Sequence, residues 1–242
     1  MKIGILGAAG RMGQAVKSRI ESAGTLTLAG VADKGDNAAS VFQASDVVID
    51  FTPPGATPIH ARLASEHGTA LVVGTTGLTA ADHTALDEAA RTVAIVQAGN
   101  FSLGVTLLAN LVEKAAAALS DVYDIEITET HHRYKLDAPS GTAVLLGEAA
   151  AKGRGVVLGD VAVRGRDGIT GERKRGDIGF AALRGGAVVG DHSVLFAGDS
   201  EVLTLSHHAQ DRGLFADGAL VAARFAANAG PGRYSMTEVL GL

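Results

Sequence analysis

Two imidazoles and two cations stand within five positions, His131-His132-Arg133-Tyr134-Lys135, and the run Leu136-Asp137-Ala138-Pro139-Ser140-Gly141-Thr142-Ala143 follows at once. Imidazoles exchange protons near neutral pH. Cations hold anions. Pro139 blocks an earlier helix start and Ser140 is a ready N-cap, so the amides of Gly141 and Thr142 open a helix and can receive a carboxylate. Lys135 adds a full charge and three donors. This combination is expected of an active-site segment for a carboxylate-bearing substrate, with a polar loop before a capped helix as the plainer reading. Arg133 is assigned a structural or ion-paired place. His60, His67, His83, His192, His207 and His208 are scattered, and are expected on the surface or in the core. His207-His208 lacks partners at ligand spacing, so no metal site is expected.

Chemistry of this kind needs a scaffold, and the N-terminal half supplies a pattern for one. Lys2-Ile3-Gly4-Ile5-Leu6 reads as a buried parallel strand. It runs into Gly7-Ala8-Ala9-Gly10-Arg11-Met12-Gly13, and Met12, Val16 and Ile20 then recur at helical spacing. Strand, glycine turn and helix form the context of a phosphate-binding loop. The spacing G-x-x-G-x-x-G is a variant of the usual fingerprint. A second strand, Leu26–Ala32, ends at Asp33, where a carboxylate can bind the ribose hydroxyls of NADH; Lys34 can pair with the 2′-phosphate of NADPH. Either cofactor is therefore expected.

Apolar runs at residues 46–51, 70–73 and 93–96 repeat the pattern, with helical stretches at 56–67 and 79–91 between them. Alternation of this kind predicts a parallel, doubly wound α/β sheet of Rossmann-like type. Ligands of such sheets bind at the carboxyl ends of the strands, which is where Gly74, Thr75, Thr76, Gly99, Asn100 and Phe101 fall. After a helix at 103–119 the pattern changes. Runs at 122–130, 178–183, 187–196 and 201–205 are joined by turns such as Gly185-Gly186 and Gly198-Asp199, which predicts a smaller α+β domain with a mixed sheet. The expected division is residues 1–101, completed by 213–242, for the dinucleotide and 102–212 for the substrate and for assembly. The helix at 214–227 returns the chain to the first domain.

Composition narrows the function classes. The chain has 242 residues, 47% of them hydrophobic, and a net charge of −5. It has no cysteine, which excludes disulfides, thiolate metal sites and thioester chemistry. Negative charge and 4% aromatic residues argue against a nucleic-acid partner. The cations Arg164, Arg166, Arg173, Lys174 and Arg175 are interleaved with Asp167, Glu172 and Asp177, and read as a solvated loop. No apolar run is long enough for a membrane span and no leader pattern follows Met1, so a soluble cytoplasmic protein without a membrane partner is expected.

The segment from Glu129 to Ala143 resembles the signature of the 4-hydroxy-tetrahydrodipicolinate reductases (dihydrodipicolinate reductases) of lysine biosynthesis. The glycine loop at 7–13, Val73-Gly74-Thr75-Thr76-Gly77, Asn100-Phe101-Ser102, Gly171-Glu172-Arg173, Gly176–Phe180 and Met236–Leu240 resemble further blocks of that family. The resemblance spans the chain. It implies reduction of a cyclic imine-type dicarboxylate by NADH or NADPH, in a homotetramer assembled through the second domain's sheet. It implies His131 as general acid/base, and Lys135 as second proton donor and substrate holder. His132, Ser140, Gly141 and Thr142 fall to the substrate. Gly7, Ala8, Ala9, Gly10, Arg11, Met12, Asp33, Lys34, Gly74, Thr75, Thr76, Ala98, Gly99, Asn100 and Phe101 fall to the cofactor. Asp33 and Lys34 stand where Glu and Arg are common in the family, which keeps charge and alters reach. Two rival readings are a dehydrogenase of another small carboxylate or sugar acid, and an idle NAD-sensing protein, which would have no need of His131 with Lys135.

Overall fold

The computed structural model describes all 242 residues. The chain folds into two compact units, Met1–Leu103 with Gly213–Leu242, and Gly104–Arg212. In chain order the first unit begins with β1 (Lys2–Leu6), α1 (Arg11–Ser22), β2 (Thr27–Ala32), α2 (Ala38–Ala44), β3 (Val47–Asp50), α3 (Thr57–His67), β4 (Ala70–Val73), α4 (Ala80–Ala89) and β5 (Ala94–Gln97). The second unit carries α5 (Leu103–Ala118), β6 (Asp124–His131), α6 (Gly141–Arg154), α7 (Leu158–Val161), β7 (Ala162–Val163), β8 (Ile178–Arg184), β9 (Asp191–Ala197) and β10 (Val202–His208). The chain then re-enters the first unit as α8 (Gly213–Ala226), β11 (Gly232–Tyr234) and α9 (Met236–Val239).

The first unit's sheet has the order β11-β5-β4-β3-β1-β2, parallel throughout. β3 and β4 are buried at every residue, as strands covered on both faces must be. One face packs Val16 and Ile20 of α1 and the small residues Ala216, Ala219, Ala222 and Ala223 of α8. The other packs Val41 and Phe42 of α2, Ala61 and Ala64 of α3, and Leu86 of α4. Strand order reverses at β1, which pairs β2 on one side and β3 on the other. Loops diverge at such a reversal and leave a crevice at the strands' carboxyl ends.

The second unit's sheet has the order β10-β9-β6-β8-β7; β6 runs antiparallel to β9 and parallel to β8. The mixed sheet is as expected, with one correction. Gly185-Gly186 does not close a hairpin, because β6 lies between β8 and β9. The loop instead passes the end of β6, where Gly185 N donates to His131 O and His132 N donates to Val188 O. The hairpin at Gly198 does form, between β9 and β10. On one face Leu108 and Val112 of α5 and Leu146 and Ala150 of α6 pack on Ile125, Ile127, Phe180, Val194 and Phe196. The 164–177 segment is a largely exposed loop, as expected, and two of its arginines pin it to β6. Arg166 forms a two-pronged pair with Glu126, and Arg173 bridges Glu126, Asp124 and the carbonyls of Ile125 and Asp177. No helix is long and apolar enough to cross a membrane.

Candidate active site

In the first unit, a cleft of about 380 Å³ opens where strand order reverses. Its walls are the glycine loop after β1, the Phe51–Pro54 turn after β3 and Gly74–Thr76 after β4. Gly7 takes φ +77°, a backbone conformation that a side chain resists. Gly13 sits so close to the turn that a Cβ would lie 2.6 Å from Ala8 Cα and against Gly7 O. Gly10 is the N-cap of α1 and offers no side chain to its amides. The positive end of α1 therefore faces the cleft through bare backbone, which suits a pyrophosphate. Asp33, at the end of β2, accepts the Ala9 amide at 3.1 Å on each oxygen, which fixes its carboxylate beside the loop. Lys34 beside it is exposed.

Of the residues expected at the cofactor, Gly7, Gly10, Arg11, Met12, Gly74, Thr75 and Thr76 line this cleft. Ala8, Ala9, Asp33, Lys34, Ala98, Gly99, Asn100 and Phe101 do not. Ala8 and Phe101 turn their side chains into the core, where Phe101 meets Phe51 edge-on at 5.8 Å. Phe51, which ends the apolar run at 46–51, and Thr52, Pro53 and Pro54 after it form a wall that was not among the expected site residues.

In the second unit, β6 alternates strictly, so Ile125, Ile127, Glu129 and His131 share its buried face. The apolar pair feeds the core and the polar pair ends the strand. Register does the rest: Arg184 of β8 is level with His131, and His192 of β9 with Glu129. His131 Nδ1 donates to Glu129 Oε2 at 2.5 Å. The Arg184 guanidinium grips the same carboxylate at 2.8 and 2.9 Å, and Ser140 N donates to it at 3.1 Å. Burial pushes the Glu129 carboxyl up, but Arg184 and His131 outweigh it and hold it below the usual range. A carboxylate so held fixes the imidazole's plane and the proton on its Nδ1, and commits Nε2 to exchange. Gly190 leaves room there; a Cβ would stand 2.9 Å from His131 Nε2.

The loop after β6 carries the cation. Lys135 Nζ donates to Asp137 Oδ1 at 2.8 Å, which holds the Asp137 carboxyl below its usual range. Arg184 also donates to the Asp137 carbonyl at 2.6 Å, tying this loop to the Glu129 network. Ser140 caps α6 by accepting the Ala143 amide at 3.1 Å, so Gly141 and Thr142 open the first turn as expected. Ser140 itself is buried with its amide on Glu129 and its hydroxyl in the cap, so it shapes the helix start. His132 Nε2 accepts from Arg212 at 3.2 Å, while its Nδ1 is buried without a partner. Sequence reasoning missed Glu129, Arg184 and the place of His192. Strict alternation in Asp124–His131 was the available signal for Glu129.

His192 lies 3.2 Å by Nε2 from Ser140 Oγ, with its ring edge-on to His131 at 5.1 Å. Burial and the neighbouring His131 push it down to about 4 from 6.5. Between those two values the unfolded chain binds the proton and the folded chain does not. Stability should therefore fall as pH drops from about 6.5 toward 4, by up to roughly 3 kcal/mol. Urea unfolding across that range should show the loss, and His192→Gln should flatten it. An equally steep dependence in the variant would remove His192 as its source.

A parallel doubly wound sheet with a glycine turn and helix N-terminus at its switch point is the architecture of dinucleotide-dependent oxidoreductases. Residues 1–101 match the family described as dihydrodipicolinate reductase, N-terminus, and residues 104–240 that described as dihydrodipicolinate reductase, C-terminus. The chain belongs to the dihydrodipicolinate reductase family. It is 53% identical over 266 aligned positions to the 4-hydroxy-tetrahydrodipicolinate reductase of Rhizobium rhizogenes (strain K84), covering 100% of this chain and 97% of that one. It is 54% identical over 207 positions to the enzyme of the same name from Dinoroseobacter shibae, covering 86% and 77%. In fold it is similar to the dipicolinate-bound dihydrodipicolinate reductase from Paenisporosarcina sp. TG-14, with a TM-score of 0.82 at 24% identity over 98% of both chains.

Proposed function

We propose that this chain reduces 4-hydroxy-tetrahydrodipicolinate to tetrahydrodipicolinate, with NADH or NADPH, in diaminopimelate and lysine biosynthesis. The observation that carries the mechanism is the Glu129-held His131, with the opening turn of α6 tied to the same carboxylate and Lys135 on the loop between them. Relatives that carry the name of this activity support the substrate, and the dipicolinate in the Paenisporosarcina structure supports a ring bearing two carboxylates.

The first unit binds the dinucleotide. Gly7–Gly13 and the start of α1 hold its pyrophosphate, Asp33 its ribose hydroxyls, and Lys34 stands ready for a 2′-phosphate. Gly74–Thr76 and Ala98–Phe101 complete that binding. The bare-backbone cradle at Gly10 and Gly13 fits such a group. When bound, the reduced nicotinamide supplies hydride. In the second unit, the amides of Gly141 and Thr142, with Lys135 and His132, hold the substrate carboxylates, and Ser140 fixes that helix start. His131 gives its proton to the enamine carbon that reduction leaves, and Glu129 stabilises the charge that passes through the ring. Lys135 is the alternative donor of that one proton. The reaction adds one hydride and one proton and releases the hydroxyl as water. We place the enzyme in the cytoplasm as a homotetramer built through the second unit's sheet, where Leu183 and Val202 are exposed.

The test is a coupled assay in which the product of the lysine-pathway synthase is supplied with NADH and, separately, with NADPH. Substrate-dependent loss of absorbance at 340 nm is expected with both. Cofactor binding without turnover would favour an idle NAD sensor, and turnover of other small acids alone would overturn the substrate. Lys135→Ala should lower kcat/KM by about 10²-fold, as loss of a charged hydrogen-bonding contact to the carboxylate implies, with cofactor affinity unmoved. Unchanged steady-state constants would refute its role.

A further inference from the structure

Asp50 ends β3 with its side chain fully buried, after Val47, Val48 and Ile49. A carboxylate in that row is costly unless every oxygen finds a donor. Here both do. Oδ1 accepts the amide and the hydroxyl of Thr52, at 2.8 and 2.6 Å, and Oδ2 accepts Nδ1 of His60 at 2.7 Å. His60 belongs to α3 and is itself buried beside Phe42. The chain of contacts continues outward. The carbonyl of Thr52 accepts the hydroxyl of Thr75 at 2.8 Å, and Gly74 N donates to the Asp50 carbonyl at 2.8 Å. Asp50 is level with Leu6 of β1 and Val73 of β4, the rung from which all three walls of the cleft depart. An apolar residue would fill the core equally well at this position. A carboxylate with these partners does something more: it fixes a turn and joins two loops.

We propose that Asp50 and His60 are a buried positioning pair that sets the cleft's affinity for a nicotinamide dinucleotide by holding Thr52, and through it Thr75, in the wall. Neither side chain touches the ligand. The pair acts from beneath, by pre-forming a surface that the ligand would otherwise have to order. The proposal rests on the reading of this cleft as the dinucleotide site.

Titration of the full-length protein with NADH and NADPH by calorimetry tests it. His60→Leu keeps bulk and removes the donor, so Kd for NADH should rise about tenfold, the usual effect of losing a hydrogen bond to a charged group. At saturating NADH kcat should stay near the wild-type value. His60→Asn places an amide nitrogen close to the position of Nδ1 and should recover most of the affinity, which a loss of packing alone would not predict. Thr75→Val, nearly isosteric, removes the hydroxyl that reaches Thr52 and should also weaken binding, with Thr75→Ser restoring it; because Thr75 also lines the cleft, the isosteric Asp50→Asn, whose side chain is buried beneath it, decides the matter by the same titration if His60→Leu does not fold. Wild-type affinity in His60→Leu, in Asp50→Asn or in Thr75→Val overturns the proposal alone. A wild-type protein that binds neither dinucleotide overturns the cleft reading and the proposal with it.

Discussion

His131→Gln is expected to lower kcat by about 10²–10⁴-fold, the range in which a positioned general acid acts, while KM moves far less. Glutamine offers a nitrogen near the place of Nε2 but has no proton to give at working pH. The rest of the site should survive the change. Glu129 keeps both prongs of Arg184 and the Ser140 amide, so the helix start and the loop bearing Lys135 stay where they are. The loss then falls on the chemical step. Steady-state kinetics at saturating NADH, with circular dichroism to show an intact fold, will measure it. Turnover near that of the wild type would end the assignment of His131.

Gly13→Ala should abolish measurable dinucleotide binding, or weaken it by at least about tenfold, because the added methyl meets backbone that has nowhere to go. The clash is with Gly7 O and Ala8 Cα, so relief requires the turn to open or α1 to withdraw. Either movement takes the helix amides away from the pyrophosphate. Gly24→Ala makes a useful contrast, since no atom lies near its missing Cβ and any cost there comes from its φ of +63° alone. Calorimetric titration with NADH separates the two variants. Wild-type affinity in Gly13→Ala would mean that the ligand does not use this loop.

Much of the first unit is legible because its strands are dense apolar runs that stop at glycine, threonine or proline. β3 and β4 are buried on both faces, and that condition writes itself into the sequence. Short or edge elements are not marked in this way. α2 spans only seven residues, and β11 only three, so neither carries a period long enough to read. The Gly185-Gly186 pair illustrates a different failure. It is good turn chemistry, and the local signal says nothing of a strand from earlier in the chain inserting between the two it joins.

The site divides along the same line. His131, Lys135 and the Ser140–Thr142 helix start lie within twelve positions and could be found as a cluster. Glu129 was hidden among the acids of an alternating strand, and its function shows only once the register sets His192 level with it and Arg184 level with His131. Asp50 and His60 are ten residues apart across a strand end, a turn and half a helix, a separation with no characteristic spacing. Phe101 shows what a strand-end position leaves open. Its place at a strand end points to a ligand contact and its ring fills the core, so such a contact falls to its backbone.

The position of β6 in its sheet bears on how the protein is made. This strand leaves the ribosome before either of its neighbours, which begin at Ile178 and Asp191. Until those emerge, Glu129 has neither its guanidinium nor its imidazole companion across the sheet. The first unit waits longer still, for α8 and β11. During synthesis the later half of the molecule can therefore close as a complete block while the earlier half remains open, an order of maturation opposite to the order of translation.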